Sequence, residues 1–430
     1  MSILSSYIIM IKIHLCGDIM TGRSFNELFR NELNFNIWSN TLSLFNQSDF
    51  TLGNLETTIT NSNNKWPNKA FNYKLNPEYK DILRLPKFNH LNIANNHILD
   101  YQAEGLEDTI KNLDKLNIKY TGAGMNQQDA NKYIIHDIKG LKIGVISYTD
   151  HYNYWKATIS TLGINYINIE SDYQYVLNYM SKIKKECDIL ILSIHHGSNY
   201  VDIISKRTKK FFHDILNVGV DIIHGHSAHH VLPIEQISDK YIFYSIGDFI
   251  DDYAVTEKYR NDLSFIAELQ IDNKKIVKLN IFPTKITIDN NNYLKPYVSL
   301  LDKNNKDYQF IMDKTKFIQK GSNKYNDFRK LIIYTNPSNY VNLNQIIMNK
   351  KIKEGMSDRN LKIDIKRSDS NKIDLYGYDK LLKYTTDKIT PEEFVKIFRE
   401  IDKTHQRKDE IKRKELNKYE DITNSDLLIN

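Results

Sequence analysis

Five stretches of this 430-residue chain set carboxylate, carboxamide or imidazole side chains directly behind short apolar runs. Gly17-Asp18 follows Lys12–Cys16, and Gly53-Asn54-Leu55-Glu56 follows the run that begins at Phe50. Asn95-Asn96-His97, then Asp100, follow His90–Ala94, while His195-His196-Gly197 follows Asp188–Ile194. The last stretch, His224-Gly225-His226-Ser227-Ala228-His229-His230, follows Val220–Ile223. One polar strand end means little, because loops are polar anyway; five in series, each offering Asp, Glu, Asn or His, are hard to ascribe to loop composition. Carboxylate and imidazole are the donors that suit zinc, manganese or iron, at ~2.0–2.2 Å for zinc. A carboxylate can bridge two such ions, and a pair ~3.5–4 Å apart activates water and clamps the oxygens of an in-line displacement. The expected cofactor is therefore one or two divalent metal ions, manganese, zinc or iron.

The elements that must present these residues are legible from hydrophobic periodicity. Strands are expected at Lys12–Cys16, Phe50–Gly53, His90–Ala94, Leu141–Ser147, Asp188–Ile194, Val220–His224 and Tyr241–Ser245. Helical patterns lie between them at Ser24–Leu33, Glu104–Leu116, Asp172–Lys185 and Lys206–Val218. Ile189-Leu190-Ile191-Leu192 is apolar throughout, as a strand covered on both faces must be. The order implies a layered α/β or α+β architecture, in which sites form beyond the strand ends. Leu263–Ile271 and Ile276–Phe282, joined at Asp272-Asn273-Lys274, read as a β-hairpin. Beyond residue 300 the chain is lysine-rich and sparse in motifs. Helices are expected there at Pro391–Ile401, capped by Thr390, and at Lys408–Tyr419.

The totals describe a folded chain with 41% hydrophobic residues, 28 Tyr and 18 Phe. A net charge of +6, from 59 basic and 53 acidic residues, does not call for nucleic acid. Two cysteines, Cys16 and Cys187, exclude a disulfide framework and read as buried small side chains. The apolar stretch near the N-terminus is interrupted by Lys12 and His14 and lacks a basic leader, so it reads as a strand; an intracellular protein without a membrane anchor is expected.

Taken together, several segments resemble the capsule-synthesis CapA (PgsA-type) family, implicated in poly-γ-glutamate capsule production and related in fold to calcineurin-like metallophosphoesterases. They are Gly17-Asp18-Ile19-Met20-Thr21-Gly22-Arg23, Asn54-Leu55-Glu56, Ala94-Asn95-Asn96-His97-Ile98-Leu99-Asp100 and Gly122-Ala123-Gly124. His195-His196-Gly197-Ser198-Asn199-Tyr200, Gly225-His226-Ser227-Ala228-His229-His230-Val231, Glu235 and Tyr244-Ser245-Ile246-Gly247-Asp248-Phe249-Ile250 complete the series. The resemblance implies a four-layer α-β-β-α metallophosphatase-like sandwich over residues 11–290, with a smaller C-terminal α/β extension, the lysine-rich domain of residues 300–430. It implies metal ligation by Asp18, Glu56 (bridging), Asn96, His195, His226 and His229, with His97 as general acid and Arg23 as an anion clamp. Asn54, His196 and Asp100 are expected at the substrate. The implied activity is metal-dependent hydrolysis of an anionic small molecule or polymer, a phosphoester or polyglutamate; the alternative is a non-catalytic polyglutamate-binding or synthase-accessory protein.

Three departures bear on that implication. Met20 stands where metallophosphoesterases carry the histidine of Asp-x-His, so one metal site is short of a donor unless His229 fills it. His196 replaces a frequent tryptophan, and Asp248 a frequent asparagine. Beside the functional readings stand plainer ones. His14 is a packed core histidine, and His151 and His213 are structural. Asp100 caps the following helix, and His230 packs behind the site or orients a ligand histidine. Asp248, Asp251 and Asp252 buffer a basic neighbour, and Trp66 and Trp155 either rim the cleft or simply pack, which explains them equally well.

Overall fold

A computed structural model describes residues 10–290, 292–316, 318–320, 332–336, 339–342 and 364–367. The chain divides into two units, Met1–Gly321 and Ser322–Asn430. The first unit is a mixed α/β structure built on two large sheets. One contains β1 (Ile11–Ile19), β2 (Phe50–Leu55), β3 (His90–Asn92) and β4 (Lys119–Thr121), all mutually parallel. The second contains β5 (Ile134–Ile138), β6 (Leu141–Thr149), β7 (Ile189–His195) and β8 (Ile222–His226), where β6, β7 and β8 run parallel. Antiparallel β9 (Ile234–Ile237) and β10 (Lys240–Phe243) extend that second sheet. The chain returns to the first sheet through β11 (Asp248–Ile250), which pairs in parallel with β1, and β12 (Leu263–Asp272), antiparallel to β1. β13 (Lys275–Asn290) and β14 (Leu294–Leu300) complete it.

Side-chain alternation sorts the interior into three clusters. Along β7, Ile189 and Ile191 join a cluster that also holds Ile13, Leu15 and Leu52 of the first sheet. Leu190, Leu192 and Ile194 turn the other way, onto Val176 and Met180 of α4 (Tyr173–Lys184) and Phe212 and Ile215 of α5 (Lys206–Asn217). The first sheet's other face packs Cys16, Leu91 and Phe249 on α1 (Ser24–Asn31), α2 (Thr41–Phe45) and α3 (Gln102–Leu116). Alternate residues of one all-apolar strand thus serve two cores, which is why its sequence shows no polar face.

Two close approaches shape the site. A Cβ on Gly17 would stand 1.8 Å from the Gly247 carbonyl oxygen, which accepts the Asp18 N–H at 3.1 Å. A Cβ on Gly225 would meet the Phe243 carbonyl at 2.5 Å, so β8 lies against β10 with no room for a side chain. The first unit runs past residue 300 to include α6 (Lys306–Lys314) and β15 (Ile318–Lys320), the latter paired with β9. In the second unit three short strands, Ile332–Asn336, Asn339–Asn342 and Asp364–Arg367, form an antiparallel sheet. The helices expected at Pro391–Ile401 and Lys408–Tyr419 lie outside the described residues. Among the described residues no helix is long and apolar enough to cross a membrane.

Candidate metal centre

Strand register sets the polar residues side by side. In the first sheet Asp18 pairs with Asp248 on one side and Asn54 on the other, and Asn54 pairs with Asn92. In the second sheet His195 pairs with His226. The two rows meet: the Asn54 amide nitrogen lies 3.4 Å from His195 Nδ1, and His226 Nδ1 lies 3.8 Å from Asp18 Oδ1. Two groups of possible ligands result, Asp18–His195–His226 and Asp18–Glu56–His229–Asp248, each with its donor atoms within 4.8 Å of one another. All of these residues are buried.

The histidine protons can be traced. His224 Nε2 donates to the Cys16 carbonyl at 2.8 Å, and burial pushes its pKa down to about 4, so its Nδ1 carries a lone pair. That lone pair takes the Ser193 hydroxyl proton at 3.0 Å, which leaves Ser193 Oγ to accept from His226 Nε2 at 3.1 Å. The Asn92 amide nitrogen also lies 3.1 Å from His226 Nε2, while its hydrogens have acceptors in Asn54 Oδ1 and the Ala94 carbonyl. His226 Nδ1 is thereby left with its lone pair turned into the site, 2.9 Å from His195 Nδ1.

The donor set suits a divalent cation, and a second observation agrees. Both Glu56 carboxylate oxygens, Asn96 Oδ1 and His195 Nε2 are buried without a hydrogen-bond partner. Burial, then the Asp18 charge, pushes the Glu56 carboxyl well above its usual range; burial pushes Asp18 up to about 6. So many unsatisfied buried acceptors in one place cost several kcal/mol in total, at about 1–3 kcal/mol each, unless a cation fills the space between them.

The expected residues divide as follows. Asp18, Glu56, His195, His226 and His229 converge on the two groups, and the orphaned Asn96 carbonyl lies next to His97 in the chain. His97 Nε2 reaches to 3.9 Å from Glu56 Oε1, while its Nδ1 lies 2.7 Å from Asp100 Oδ2. Burial, against the pull of Asp100, brings His97 down to about 4. Asp100 does not cap the helix that follows: the residue ahead of α3 is Tyr101, with no side-chain cap. Its carboxylate instead accepts from the Tyr73 N–H at 2.7 Å and from Lys69 Nζ at 2.5 Å. Asn54, expected at substrate, spends its amide on Asp18, Asn92 and Asn95. His196 is not brought in. It lies just past the end of β7 and turns to Asp150 at 2.7 Å and Thr208 at 2.9 Å. Arg23, with φ of 51°, sits outside the groups with Asp252 at 3.4 Å, its guanidinium over Tyr73 and Tyr253.

Met20 takes no part in either group: its sulfur lies 3.3 Å from the Gly22 amide nitrogen. Sequence reasoning missed Lys69 and Tyr73, whose ring stacks on His97 at 4.2 Å, because no motif marks their loop. It also left His151 as structural, whereas that ring lies 5.0 Å from His195 and bonds Ser227 and the Gly197 carbonyl. His14, with Glu268 at 3.1 Å, is the core histidine expected. Trp155 is buried, the packing alternative of the two readings.

The chain is 31% identical to the PGA biosynthesis protein CapA of Bacillus subtilis (strain 168), over 56% of this chain and 63% of that protein, less than two thirds of its length. It is 27% identical to the capsule biosynthesis protein CapA of Bacillus anthracis, over 70% of this chain and 73% of that one. Among solved structures, a hypothetical protein from Thermus thermophilus aligns with 68% of this chain and all of its own, at 10% identity and a TM-score of 0.40. The family model described as bacterial capsule synthesis protein PGA_cap matches residues 12–253, more than half of the chain and the whole stretch that carries both ligand groups, and the chain belongs to that family.

Proposed function

We propose that the first unit is a divalent-metal hydrolase acting on an anionic polymer or small molecule of poly-γ-glutamate metabolism, through a phosphoester or amide bond. The observation that carries the reading is the convergence of two ligand groups on Glu56, Asp18 and three histidines, with both Glu56 oxygens lacking any other partner. The three hydrophobic clusters also favour the four-layer α-β-β-α metallophosphatase-like arrangement, with the site in residues 11–290 and a C-terminal lysine-rich domain over 300–430. Asp18, His195 and His226 would hold one ion, with Asn96 as a further donor. Asp18, Glu56 and His229 would hold a second, and Glu56 Oε1, 3.8 Å from His195 Nε2, also faces the first group. When bound, such ions supply Lewis acidity and activate water at neutral pH.

The remaining chemistry belongs to the chain. Asp100 fixes the His97 ring by its Nδ1 bond, so Nε2 is the atom that faces Glu56 and the reacting group. An arriving anion, held by Arg23, favours a proton on Nε2, which His97 then passes to the leaving oxygen or nitrogen. Tyr73, stacked on His97, keeps bulk water from that face.

The purified chain, supplied with manganese or zinc, is expected to cleave an aryl phosphate or poly-γ-glutamate. Asp18→Ala should abolish turnover, and His97→Asn should lower kcat by roughly 10²–10⁴. Turnover retained in Asp18→Ala overturns this mechanism. Bound metal without turnover on either substrate favours the accessory reading.

A further inference from the structure

His196, which stands where relatives frequently carry tryptophan, turns away from the metal centre into a different setting. Just past the end of β7 it lines a cavity of about 500 Å³, bordered by residues 168–170, the loop of residues 197–204 and the start of α5. Four polar side chains line up there. His196 Nε2 lies 2.9 Å from Thr208 Oγ1, and Thr208 Oγ1 lies 2.8 Å from Ser205 Oγ. On the other side of the ring, His196 Nδ1 lies 2.7 Å from Asp150 Oδ2, while Asp150 Oδ1 accepts the Gly197 N–H at 3.2 Å.

The protons in this row can be assigned. An ionised carboxylate only accepts, so Asp150 keeps the imidazole proton on Nδ1 and leaves Nε2 with a lone pair. That lone pair takes the Thr208 hydroxyl proton, Thr208 Oγ1 accepts from the Ser205 hydroxyl, and Ser205 Oγ accepts the Thr208 N–H at 2.9 Å. The order is that of a hydroxyl nucleophile, its base and the acid that orients the base. The Nδ1–H is out of line with Asp150, an alignment that such bonds often reach only with substrate bound.

We propose that Thr208, His196 and Asp150 form a second, metal-independent catalytic site that hydrolyses a carboxylic ester with a small apolar acyl group. Capping α5 requires only Ser205; it does not require an imidazole and a carboxylate behind the Thr208 hydroxyl. Ile169, Ile204, Phe212 and Tyr244 give the cavity an apolar wall for the acyl chain. The Arg207 guanidinium is paired with Glu170, so a neutral ester suits the mouth better than an anion. The N–H groups of Lys206 and Arg207, in the first turn of α5, meet no acceptor among the described residues and can receive a developing oxyanion.

Thr208 Oγ1 adds to the ester carbonyl carbon while its proton passes to His196 Nε2. Collapse breaks the ester C–O bond, and the departing alkoxide takes that proton from Nε2. Water then adds to the acyl-threonine, giving a proton to Nε2; Thr208 leaves with it and the carboxylic acid is released.

The test uses the full chain in chelator throughout, so that failure here leaves the metal-centre reading standing. Incubated with p-nitrophenyl butyrate, wild type should release nitrophenolate faster than heat-denatured protein, and peptide mass spectrometry should place a butyryl adduct on Thr208. Thr208→Val should lose both, and His196→Gln should slow acylation by roughly 10²–10⁴. An adduct formed as fast in His196→Gln, or wild type with no adduct on Thr208, overturns the proposal. Should Thr208→Val not fold, the position of the wild-type adduct decides.

Discussion

Replacing Glu56 with glutamine keeps the shape of the side chain and removes its charge. Glu56 is fully buried, neither oxygen has a hydrogen-bond partner, and the nearest ring nitrogens, His97 Nε2 and His195 Nε2, stand at 3.9 and 3.8 Å. Without metal, the protein must either bury that charge beside Asp18 and Asp248 or hold a proton on a carboxyl whose pKa burial and Asp18 have pushed up. An unsatisfied buried polar group costs about 1–3 kcal/mol, and more when charged. Glu56→Gln is therefore expected to stabilise the chelator-treated protein by ~1–3 kcal/mol, about 1.5 °C in Tm per kcal/mol for a unit that runs to Gly321. Metal should reverse the order. At a hundredfold excess over Kd, a ligand that binds only the folded state adds about 2.7 kcal/mol, and the variant should forfeit most of it. Thermal melts by circular dichroism, with chelator and with saturating zinc or manganese, read both effects. A variant less stable than wild type in chelator, with an undiminished rise on adding metal, would refute the argument that Glu56 is held in place for a cation.

Two further outcomes follow from the frame around the site. Gly17→Ala would drive a Cβ to 1.8 Å from the Gly247 carbonyl oxygen, so β11 must shift away from β1; a loss of roughly 3 kcal/mol or more is expected in denaturant melts, as for a severe overpacking change, together with weaker metal uptake, and a wild-type melt would contradict it. Asp307 is held down to about 2 by hydrogen bonds from Arg260 and then Lys285, against the effect of burial. A lowered carboxyl stabilises the fold above its ordinary range, and that contribution is lost as pH falls from about 4 through about 2. Asp307→Asn should therefore flatten the acid limb of the stability curve in that window and leave its neutral end lowered; an unchanged acid limb would show that the ion-pair cluster contributes nothing.

Much of the centre was legible because its residues end apolar runs. Asp18, Glu56, His195 and His226 sit where a strand buried on both faces gives way to a polar loop, and that transition is local in sequence. What was not legible depends on partners far along the chain. Asp248 reads as one of several acids beside Phe249 until the pairing of β11 with β1 places it against Asp18. Asp100 has the sequence context of a helix cap; only the fold of the 61–73 loop brings Lys69 and the Tyr73 N–H to its carboxylate. His196 repeats the type of its neighbour, yet it lies past the end of β7 and its partners are Asp150 and Thr208, far off in the chain. β5, half-exposed and antiparallel, escaped notice because its polar residues break the apolar run that marked its neighbours.

The central claim is that residues scattered through the chain grip a divalent cation at the ends of two sheets. Elemental analysis of wild type and of Asp18→Ala, each exposed to zinc and manganese and dialysed alongside the other, tests it most directly because Asp18 belongs to both groups. Wild type should retain at least one equivalent and Asp18→Ala essentially none. Equal metal in the two proteins, or none in wild type, would contradict it.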